Sequence, residues 1–391
     1  MIDGYDEDAK VLTESEEGLY INDDLVEDYN DGYYHVFQDA YKYPDATVIV
    51  SYSRRGPGKT TGALLGAYLR GKRIMYIKRT IADVKMITKG GSVDLSPWAT
   101  INRIAGTNFK AIPVRGVDGF AEVISVDEND TPLPNEEPIG YICALSAAGK
   151  IKGFDLSDKV DIMIVDEFVP NKGVIARRSE GDQTLDILAT LMRDRHKRGL
   201  PNIKLWLFSN CDYLACPISR TLGLLDDIYE LSSKKASYFF NSQRGMLIHH
   251  ITSEEFTSTI NDEMFSFMKD TDWYKRNIEG ELDEDFSNID IKPNTKNYKC
   301  IAKLWYNNKN AYILFRESDS SYYITYDYNI RVSNGVQYFN LTLENDIRLF
   351  NITPLYQDIL KSLMINKVKY SCYSLYDLIK RYYDIFTDKL Y

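Results

Sequence analysis

Cysteine and histidine are both scarce in this chain of 391 residues, and their scarcity excludes several kinds of site. The five cysteines lie at positions 143, 211, 216, 300 and 372, an odd number without a CxxC pair. This pattern argues against a disulfide framework and against a structural zinc site, and it suits a reducing cytoplasm. With only four histidines, a histidine-rich metal site is not expected either.

Long apolar runs are also missing. No stretch approaches the ~18 uncharged apolar residues that a membrane span requires, so we expect no membrane partner. The first eight residues are acidic and lack an apolar core, so we expect no signal peptide.

Negative charge is concentrated at one end of the chain. Residues 1–45 carry 14 acidic and 2 basic side chains, a net charge of −12, so the −10 of the whole chain leaves +2 for the rest. A protein with this balance is not expected to coat DNA non-specifically, but its neutral body can still contain a basic channel. We interpret residues 1–45 as an acidic extension.

Apolar strands alternate with helical segments after the extension, which predicts a mostly parallel sheet covered on both faces. Strands are predicted at 46–53, 73–78, 140–146, 161–165 and 203–208, and helices at 60–70 and 182–198. The second helix has Leu185, Leu188, Leu191 and Met192 on one face. We predict an α/β domain over 46–230, a linker over 231–295, and a C-terminal domain of short aromatic strands followed by two helices over 296–391.

One motif carries recognisable chemistry. The run Ser53-Arg54-Arg55-Gly56-Pro57-Gly58-Lys59-Thr60 follows a strand and opens a helix, as a G-x-x-x-x-G-K-[ST] phosphate-binding loop does, with serine in place of the first glycine. Backbone N–H groups around Gly58 would wrap a β-phosphate, the Lys59 ammonium would neutralise phosphate oxygens, and the Thr60 hydroxyl would bind Mg²⁺. We include Thr61 among the predicted nucleotide-binding residues.

A second motif supplies the carboxylates. The apolar strand 161–165 leads into Asp166 and Glu167, which is typical of a Walker B element. Asp166 would hold Mg²⁺, and Glu167 would orient and deprotonate the attacking water. The alternative is a buried strand that ends in two solvated acids. The phosphate-binding loop about 100 residues upstream favours the site, so the sequence predicts ATP and Mg²⁺ as ligands.

Further candidates follow in the next helix and strand. Asn210 ends a strand, where a residue that senses the γ-phosphate would lie; a turn-forming asparagine is the alternative. Arg193 lies in the basic cluster 193–198, which suggests an arginine finger offered to a neighbouring subunit. A solvated helix end is its alternative. Arg55 and Arg195 complete the predicted catalytic set.

These motifs together resemble the DNA-encapsidation ATPases of phi-29-type podophages, a branch of the terminase-like packaging motors. The resemblance covers about residues 46–225 and includes the run 48–79, Asp166-Glu167-Phe168, Met192-Arg193-Asp194-Arg195 and Ser209-Asn210. The run 145–152 is similar to the loop that carries a functional lysine in that family, with Lys150 and Lys152 as the two candidates.

The resemblance implies a P-loop NTPase of the ASCE type that forms a pentameric ring and threads double-stranded DNA into a preformed capsid. It implies docking on the capsid portal, directly or through a structural RNA, and a location in the host cytoplasm and transiently on the prohead.

The same resemblance implies a C-terminal α+β domain of RNase H-like nuclease type. The candidate first strand, 301–306, contains no acid, and Asp319 and Asp327 lie in or beside later strands. Because such nucleases need converging carboxylates, we expect a degenerate, non-cleaving domain that grips DNA or docks on the portal. The basic residues that would contact phosphate are Lys361, Lys367, Lys369, Lys380 and Arg381, for which a solvated helix face is the alternative.

Two other functions fit the same motifs. One is a P-loop ATPase of another kind, such as a helicase or a partition ATPase. The other is an interaction protein that no longer hydrolyses ATP, in which Ser53 in place of the first loop glycine would reflect the lost activity.

Overall fold

The computed structural model describes residues 12–15, 18–21, 33–89, 96–171, 174, 176–252, 256, 262–282, 285–306, 308–327 and 329–387. Most of the acidic extension predicted at 1–45 lies outside these residues. The chain divides into two units, Met1–Leu222 with Leu231–Asp283, and Gly223–Glu230 with Glu284–Tyr391.

A nine-stranded sheet forms the centre of the first unit, and a separate antiparallel pair, β1 (Leu12–Ser15) and β2 (Gly18–Ile21), precedes it. The nine strands are β3 (Val48–Ser53), β4 (Ile74–Lys78), β5 (Phe109–Pro113), β6 (Phe120–Ser125), β7 (Gly140–Ala144), β8 (Ile162–Asp166), β9 (Lys204–Asn210), β10 (Tyr238–Asn241) and β11 (Met246–Ile251). Their order across the sheet is β10-β11-β3-β9-β8-β4-β7-β6-β5.

The six central strands, from β11 to β7, are all parallel to their neighbours. Antiparallel strands extend both edges. Strands such as Val48–Ser53 and Gly140–Ala144 are buried almost throughout, as expected for a sheet covered on both faces. The prediction of a mixed α/β fold with a large, mostly parallel sheet is confirmed. The order places β3, β9 and β8 side by side, so their carboxyl ends meet at one edge.

Helices connect these strands. The α-helices before residue 280 are Val36–Lys42, Lys59–Leu69, Ile81–Thr88, Trp98–Ala105, Ala148–Ile151, Glu180–Met192, Pro217–Thr221, Leu225–Ser233 and Asp272–Tyr274. Short 3₁₀ segments occupy Leu145–Ala147, His196–Arg198 and Asp262–Met268, and Lys275–Glu279 is a π-helical turn. In the part of the chain that is described, no helix has the length and apolar character to cross a membrane.

The structure corrects two predictions in this unit. The linker predicted at 231–295 contains β10 and β11, which belong to the large sheet. The helix predicted at 182–198 ends at Met192, and Asp194 takes a positive φ of 55° that does not continue a helix. Its buried face is also different, because Thr184 and Ile187 are buried whereas Leu185 is 39% exposed.

The second unit contains a five-stranded sheet in the order β15-β12-β13-β14-β16. Its strands are β12 (Lys299–Tyr306), β13 (Lys309–Arg316), β14 (Ser321–Thr325), β15 (Gln337–Asn340) and β16 (Val368–Tyr370). The central three are antiparallel, and both edge strands are parallel to their neighbours. Helices Glu344–Ile352, Pro354–Met364 and Tyr373–Thr387 accompany the sheet. This arrangement is α+β, and its RNase H-like character stays a prediction.

Asp319, one of the two acids considered for a nuclease site, lies in the turn between β13 and β14. It accepts hydrogen bonds from Arg316 at 2.9 and 2.5 Å, and these hold the pKa of the carboxyl well below its usual range. Asp327 accepts a hydrogen bond from the backbone N–H of Asn329, also within a turn. Both acids therefore stabilise local turns.

The segment that precedes β3 lies along the helix Lys59–Leu69. The backbone N–H of Tyr34 donates to the carbonyl of Pro57 at 2.8 Å. A Cβ at position 62 would lie 2.5 Å from the carbonyl oxygen of Tyr34, and one at position 66 would lie 2.6 Å from the Phe37 ring. Glycine at these positions lets the two segments approach this closely.

Buried hydrogen bonds fix this preceding segment to the sheet. The Tyr34 hydroxyl donates to Asp39 at 2.7 Å and lies 2.7 Å from the Ser51 hydroxyl on β3. His249 Nδ1 on β11 lies 2.7 Å from the same Asp39 carboxylate. The segment thereby joins the phosphate-binding loop, at Pro57, to two neighbouring strands.

We predict that Gly62→Ala destabilises the protein, although alanine normally stabilises a helix interior by about 0.5–1 kcal/mol relative to glycine. The added methyl group would overlap the Tyr34 backbone, and overpacking of this kind costs about 1–3 kcal/mol. Urea unfolding followed by circular dichroism measures the difference. Gly149→Ala is the matched control, because no atom lies within 4 Å of a Cβ there. Equal or higher stability of Gly62→Ala would contradict the close packing.

Candidate active site

The loop between β3 and the helix Lys59–Leu69 is shaped by two glycines. Gly56 and Gly58 have φ angles of 87° and 94°, which L side chains rarely adopt. Gly58 caps the N-terminus of the helix, where unpaired backbone N–H groups and the helix dipole favour an anion. The loop therefore has the backbone of a phosphate-binding loop.

Lys59 is the central charged group of this loop. It is 9% exposed, and its ammonium donates a hydrogen bond to the Ser53 hydroxyl, which in turn donates to the carbonyl of Arg54 at 2.5 Å. Burial lowers the pKa of Lys59 to about 8, whereas Asp166 and Glu167 act in the opposite direction. The serine that replaces the first glycine of the motif is thus a partner of the lysine, which sequence reasoning missed.

Thr60 and Asp166, the two predicted magnesium ligands, are in direct contact. The Thr60 hydroxyl donates to Asp166 Oδ1 at 3.2 Å. Hydroxyl and carboxylate oxygens are ligands that Mg²⁺ accepts, and Mg²⁺ typically uses few protein groups beside water and phosphate oxygens. The pair therefore fits a magnesium ion. Among the described residues, no group of three or more His, Cys, Asp or Glu side chains is placed to hold a metal.

Two residues on β4 orient Asp166, and sequence reasoning named neither. The Tyr76 hydroxyl donates to Asp166 Oδ2 at 2.5 Å, and the Lys78 ammonium lies 3.7 Å from the same oxygen. Burial, followed by the charge of Asp166, raises the pKa of Tyr76 well above its usual value, so the phenol stays a donor. The contact arises because β4 lies beside β8, an order that the sequence does not reveal.

Glu167 lies in a strained turn directly after β8. Its φ is +53°, in a region that costs a residue with a Cβ about 1–3 kcal/mol, and its side chain is exposed. The guanidinium of Arg79 donates to the carbonyls of Glu167 and Phe168 at 3.1 and 3.2 Å, and it forms an ion pair with the buried Glu180. Arg79 therefore holds the backbone that presents the Glu167 carboxylate, and it was also missed.

These elements surround an open pocket of about 430 Å³. The residues that line it are Arg55, Gly56, Pro57, Gly58, Lys59, Thr60, Thr61, Asp166, Glu167, Ser209 and Asn210. Asn210 enters the set because β9 lies between β3 and β8, with Asn210 in register with Ser53. Most of the predicted nucleotide-binding and catalytic residues are thus brought together.

Ser53 and Arg54 are both buried and do not line the pocket. Arg54 forms an ion pair with Asp262 at 2.8 Å and donates to the carbonyl of Ile278 at 3.3 Å. Its charge is therefore directed to a segment more than 200 residues further along the chain.

Arg193 and the run 145–152, which contains the two candidate lysines, lie together outside the residues that line the pocket. Arg193 is exposed and donates to the carbonyl of Lys152 at 2.6 Å, and the Lys152 ammonium pairs with Asp186 at 2.9 Å. Lys150 is exposed in the neighbouring short helix. These contacts link Lys152 to Arg193, and the choice between the two lysines as the functional one stays open.

Arg195, which the sequence analysis placed in the catalytic set, is buried and does not line the pocket. It is 2% exposed, and its guanidinium donates to the carbonyls of Ser157, Val160 and Pro201. These three bonds hold together the segments that flank β8 and β9. The geometry therefore assigns Arg195 to the fold of this corner and not to the pocket.

The basic residues predicted to contact DNA or the portal all lie in the second unit. Lys367 donates to the carbonyl of Asp319 and Lys369 to that of Ser287, each at 2.9 Å, whereas Arg381 donates to the Tyr306 hydroxyl at 3.2 Å. Lys361 lies 3.7 Å from Asp358, and Lys380 lies 5.6 Å from the Tyr376 ring centroid. Their binding role stays a prediction.

A parallel sheet, a glycine-shaped loop at a helix N-terminus and an adjacent Asp-Glu pair define an α/β protein of P-loop type. The fold is also found in solved structures. The chain is similar to the phi-28 gp11 DNA packaging motor, with a TM-score of 0.58, 15% identity, and coverage of 90% of this chain and 96% of that one. It is also similar to the bacteriophage phi-29 viral genome packaging motor assembly, with a TM-score of 0.52, 13% identity, and coverage of 91% and 99%. No family model and no curated protein matches the sequence.

Proposed function

We propose that this protein is an ATPase that drives double-stranded viral DNA into a preformed capsid. The observation that carries the ATPase part is the convergence of Lys59, the Thr60–Asp166 pair and Glu167 on one pocket at the carboxyl edge of three adjacent strands. The packaging part is supported by the shared fold with two packaging motors over nearly the whole of each chain.

The residues of the loop would bind the phosphates of ATP. Backbone N–H groups around Gly58 face the anion, and the Lys59 ammonium neutralises β- and γ-phosphate oxygens. An anion there also offsets the burial that lowers the pKa of Lys59. Thr60 and Asp166 would hold Mg²⁺, which supplies charge neutralisation at the phosphates when bound.

Glu167 is the proposed general base. Its carboxylate is exposed to the pocket that Lys59 and Asn210 also line, so it can orient a water and accept its proton. Arg79 fixes the backbone on which this carboxylate sits. Arg55 and Asn210, which line the same pocket, are proposed to contact the terminal phosphate.

The protein is proposed to act as a ring, with five subunits by analogy with the resembling family. Arg193 is exposed and lies outside its own pocket lining, so it is available to a neighbouring subunit. A positive charge donated in this way can accelerate phosphoryl transfer by about 10³–10⁵. Lys152, or Lys150 beside it, would couple DNA contact to the surface that contains Arg193.

The remaining proposals concern partners and place. Double-stranded DNA would be contacted through its phosphates, because a motor must pass every sequence. Lys361, Lys367, Lys369, Lys380 and Arg381 are the proposed contacts of the second unit with DNA or the capsid portal, and we expect no strand cleavage there. A structural RNA is a proposed intermediary at the portal. The site of action would be the host cytoplasm and the prohead.

Glu167→Gln tests the ATPase proposal. The amide cannot accept the proton of water, so turnover should fall by about 10²–10⁴, whereas binding of Mg·ATP should be nearly unchanged. Lys59→Met should weaken binding as well as turnover. Steady-state phosphate release and nucleotide titration measure the two effects. The control is Glu136→Gln, which makes the same change of charge at an exposed position outside the pocket lining and should leave turnover unchanged. Turnover of Glu167→Gln at the wild-type rate would remove Glu167 as the base.

Arg193→Ala tests the ring proposal. The variant alone should bind ATP normally and turn over slowly. Mixed with excess Glu167→Gln subunits, it should regain part of its turnover, because it keeps its own base and receives its neighbour's arginine. Arg198→Ala is the control, since Arg198 is exposed in the same cluster and pairs with Asp155. Slow turnover without any recovery on mixing would place Arg193 in its own subunit's reaction.

A further inference from the structure

Asn277, which follows Arg55 by more than 200 residues in sequence, binds it at two points. The backbone N–H of Arg55 donates to the carbonyl of Asn277 at 3.0 Å, and the Nε–H of Arg55 donates to Asn277 Oδ1 at 2.7 Å. Asn277 is 4% exposed. Main chain and side chain of Arg55 are therefore both fixed by the same partner, which sets the direction in which the guanidinium points.

Asn277 itself is firmly placed. It lies within the π-helical turn Lys275–Glu279, and its Nδ2 donates to the carbonyl of Trp273 at 2.9 Å. That bond also fixes which side-chain atom faces Arg55, because the oxygen is left as the acceptor. π-Helical turns are rare and are found frequently at functional sites.

The flanking residues tie the π-helical turn to both sides of the pocket. Arg54 donates to the carbonyl of Ile278 at 3.3 Å, and Arg276 lies 3.7 Å from Asp212, two residues after Asn210. The turn thus joins the phosphate-binding loop to the end of β9, and Asn277 is its contact with the pocket-lining arginine.

The contact with Asn277 determines which nitrogens of the Arg55 guanidinium can face a phosphate. A guanidinium has five N–H groups in a rigid planar fork, and the two terminal nitrogens match a pair of phosphate oxygens. Because Nε donates to Asn277, a phosphate in the pocket would be met end-on by the Nη1 and Nη2 groups. Arg55 lines the same pocket as Lys59 and Asn210.

We propose that Asn277 is a positioning residue that presents the Nη end of Arg55 to the terminal phosphate of the nucleotide. It acts through Arg55 and does not touch the nucleotide itself. The proposal rests on the proposed function, since it requires a nucleotide in this pocket. It assigns the π-helical turn to the phosphate site, although the turn lies more than 200 residues after the loop in sequence.

A double-mutant cycle on the full-length protein tests it, with kcat and KM for ATP as readouts. Arg55→Ala and Asn277→Ala should each lower kcat by about tenfold, the effect of losing a hydrogen bond to a charged group, with a smaller change in KM. Adding Asn277→Ala to Arg55→Ala should have no further effect, because the positioned group is already gone. Asn277→Asp should retain most of the activity, since its carboxylate accepts the same bond.

Ile278→Val is the structural control, because it removes one buried methyl from the same turn and leaves Asn277 in place. Urea unfolding of each variant separates a loss of kcat from a loss of folded protein. The proposal is overturned if the two alanine effects multiply, if Asn277→Ala changes KM alone, or if Ile278→Val lowers kcat equally. If ATP turnover by the wild-type protein does not depend on Lys59, the proposed function and this proposal both fail. If the enzyme is active and the effects of the two alanine substitutions multiply, only this proposal fails.

Discussion

A buried ammonium group at the edge of a parallel sheet is the constraint on which this structure depends. Lys59 is 9% exposed, and burial lowers its pKa to about 8, so the fold holds a positive charge where water solvates it poorly. Ser53 accepts one of its hydrogen bonds, and the carboxylates of Asp166 and Glu167 lie close enough to influence its pKa. A polyanion that enters the pocket would therefore stabilise the Lys59 ammonium.

The backbone around the Lys59 pocket is held by contacts from three other parts of the chain. Tyr34 binds the loop at Pro57, Arg79 binds the turn that carries Glu167, and Asn277 binds Arg55. Each contact uses a backbone carbonyl or N–H of the site, so each fixes the main chain and not only a side chain. The geometry of the pocket is therefore a property of the whole first unit, as precise catalytic positioning requires.

The sequence predicted the parts of this site that depend on local pattern. The glycine-lysine-threonine run and the apolar strand before Asp166 were readable because their spacing is a direct consequence of a strand, a turn and a helix. Tyr76, Arg79 and Asn277 were not readable, because their roles depend on strand order and on a segment folded back over more than 200 residues. In the arginine cluster, the sequence pattern assigned two residues to the same catalytic set although their positions in the fold differ. Arg193 and Arg195 look equivalent in the sequence, yet a positive φ at Asp194 exposes one and buries the other.

The edge of the sheet shows why the domain boundary was misplaced. Strand β11 contains His249 and His250 and follows a polar stretch, so it lacks the signal of a buried strand. His249 is nevertheless fully buried, because Asp39 supplies a partner for its Nδ1. A polar residue whose buried partner lies far away in the sequence cannot be assigned to the core from pattern alone.

The Lys59 pocket is proposed to hydrolyse ATP in order to move double-stranded DNA. This is tested by the rate of ATP hydrolysis by purified protein as double-stranded DNA is added, compared with single-stranded DNA of equal length. We expect the duplex to raise the rate more, independently of base sequence, and this stimulation to weaken steeply as salt is raised. A rate that is indifferent to duplex DNA, or that responds only to single strands, would contradict it.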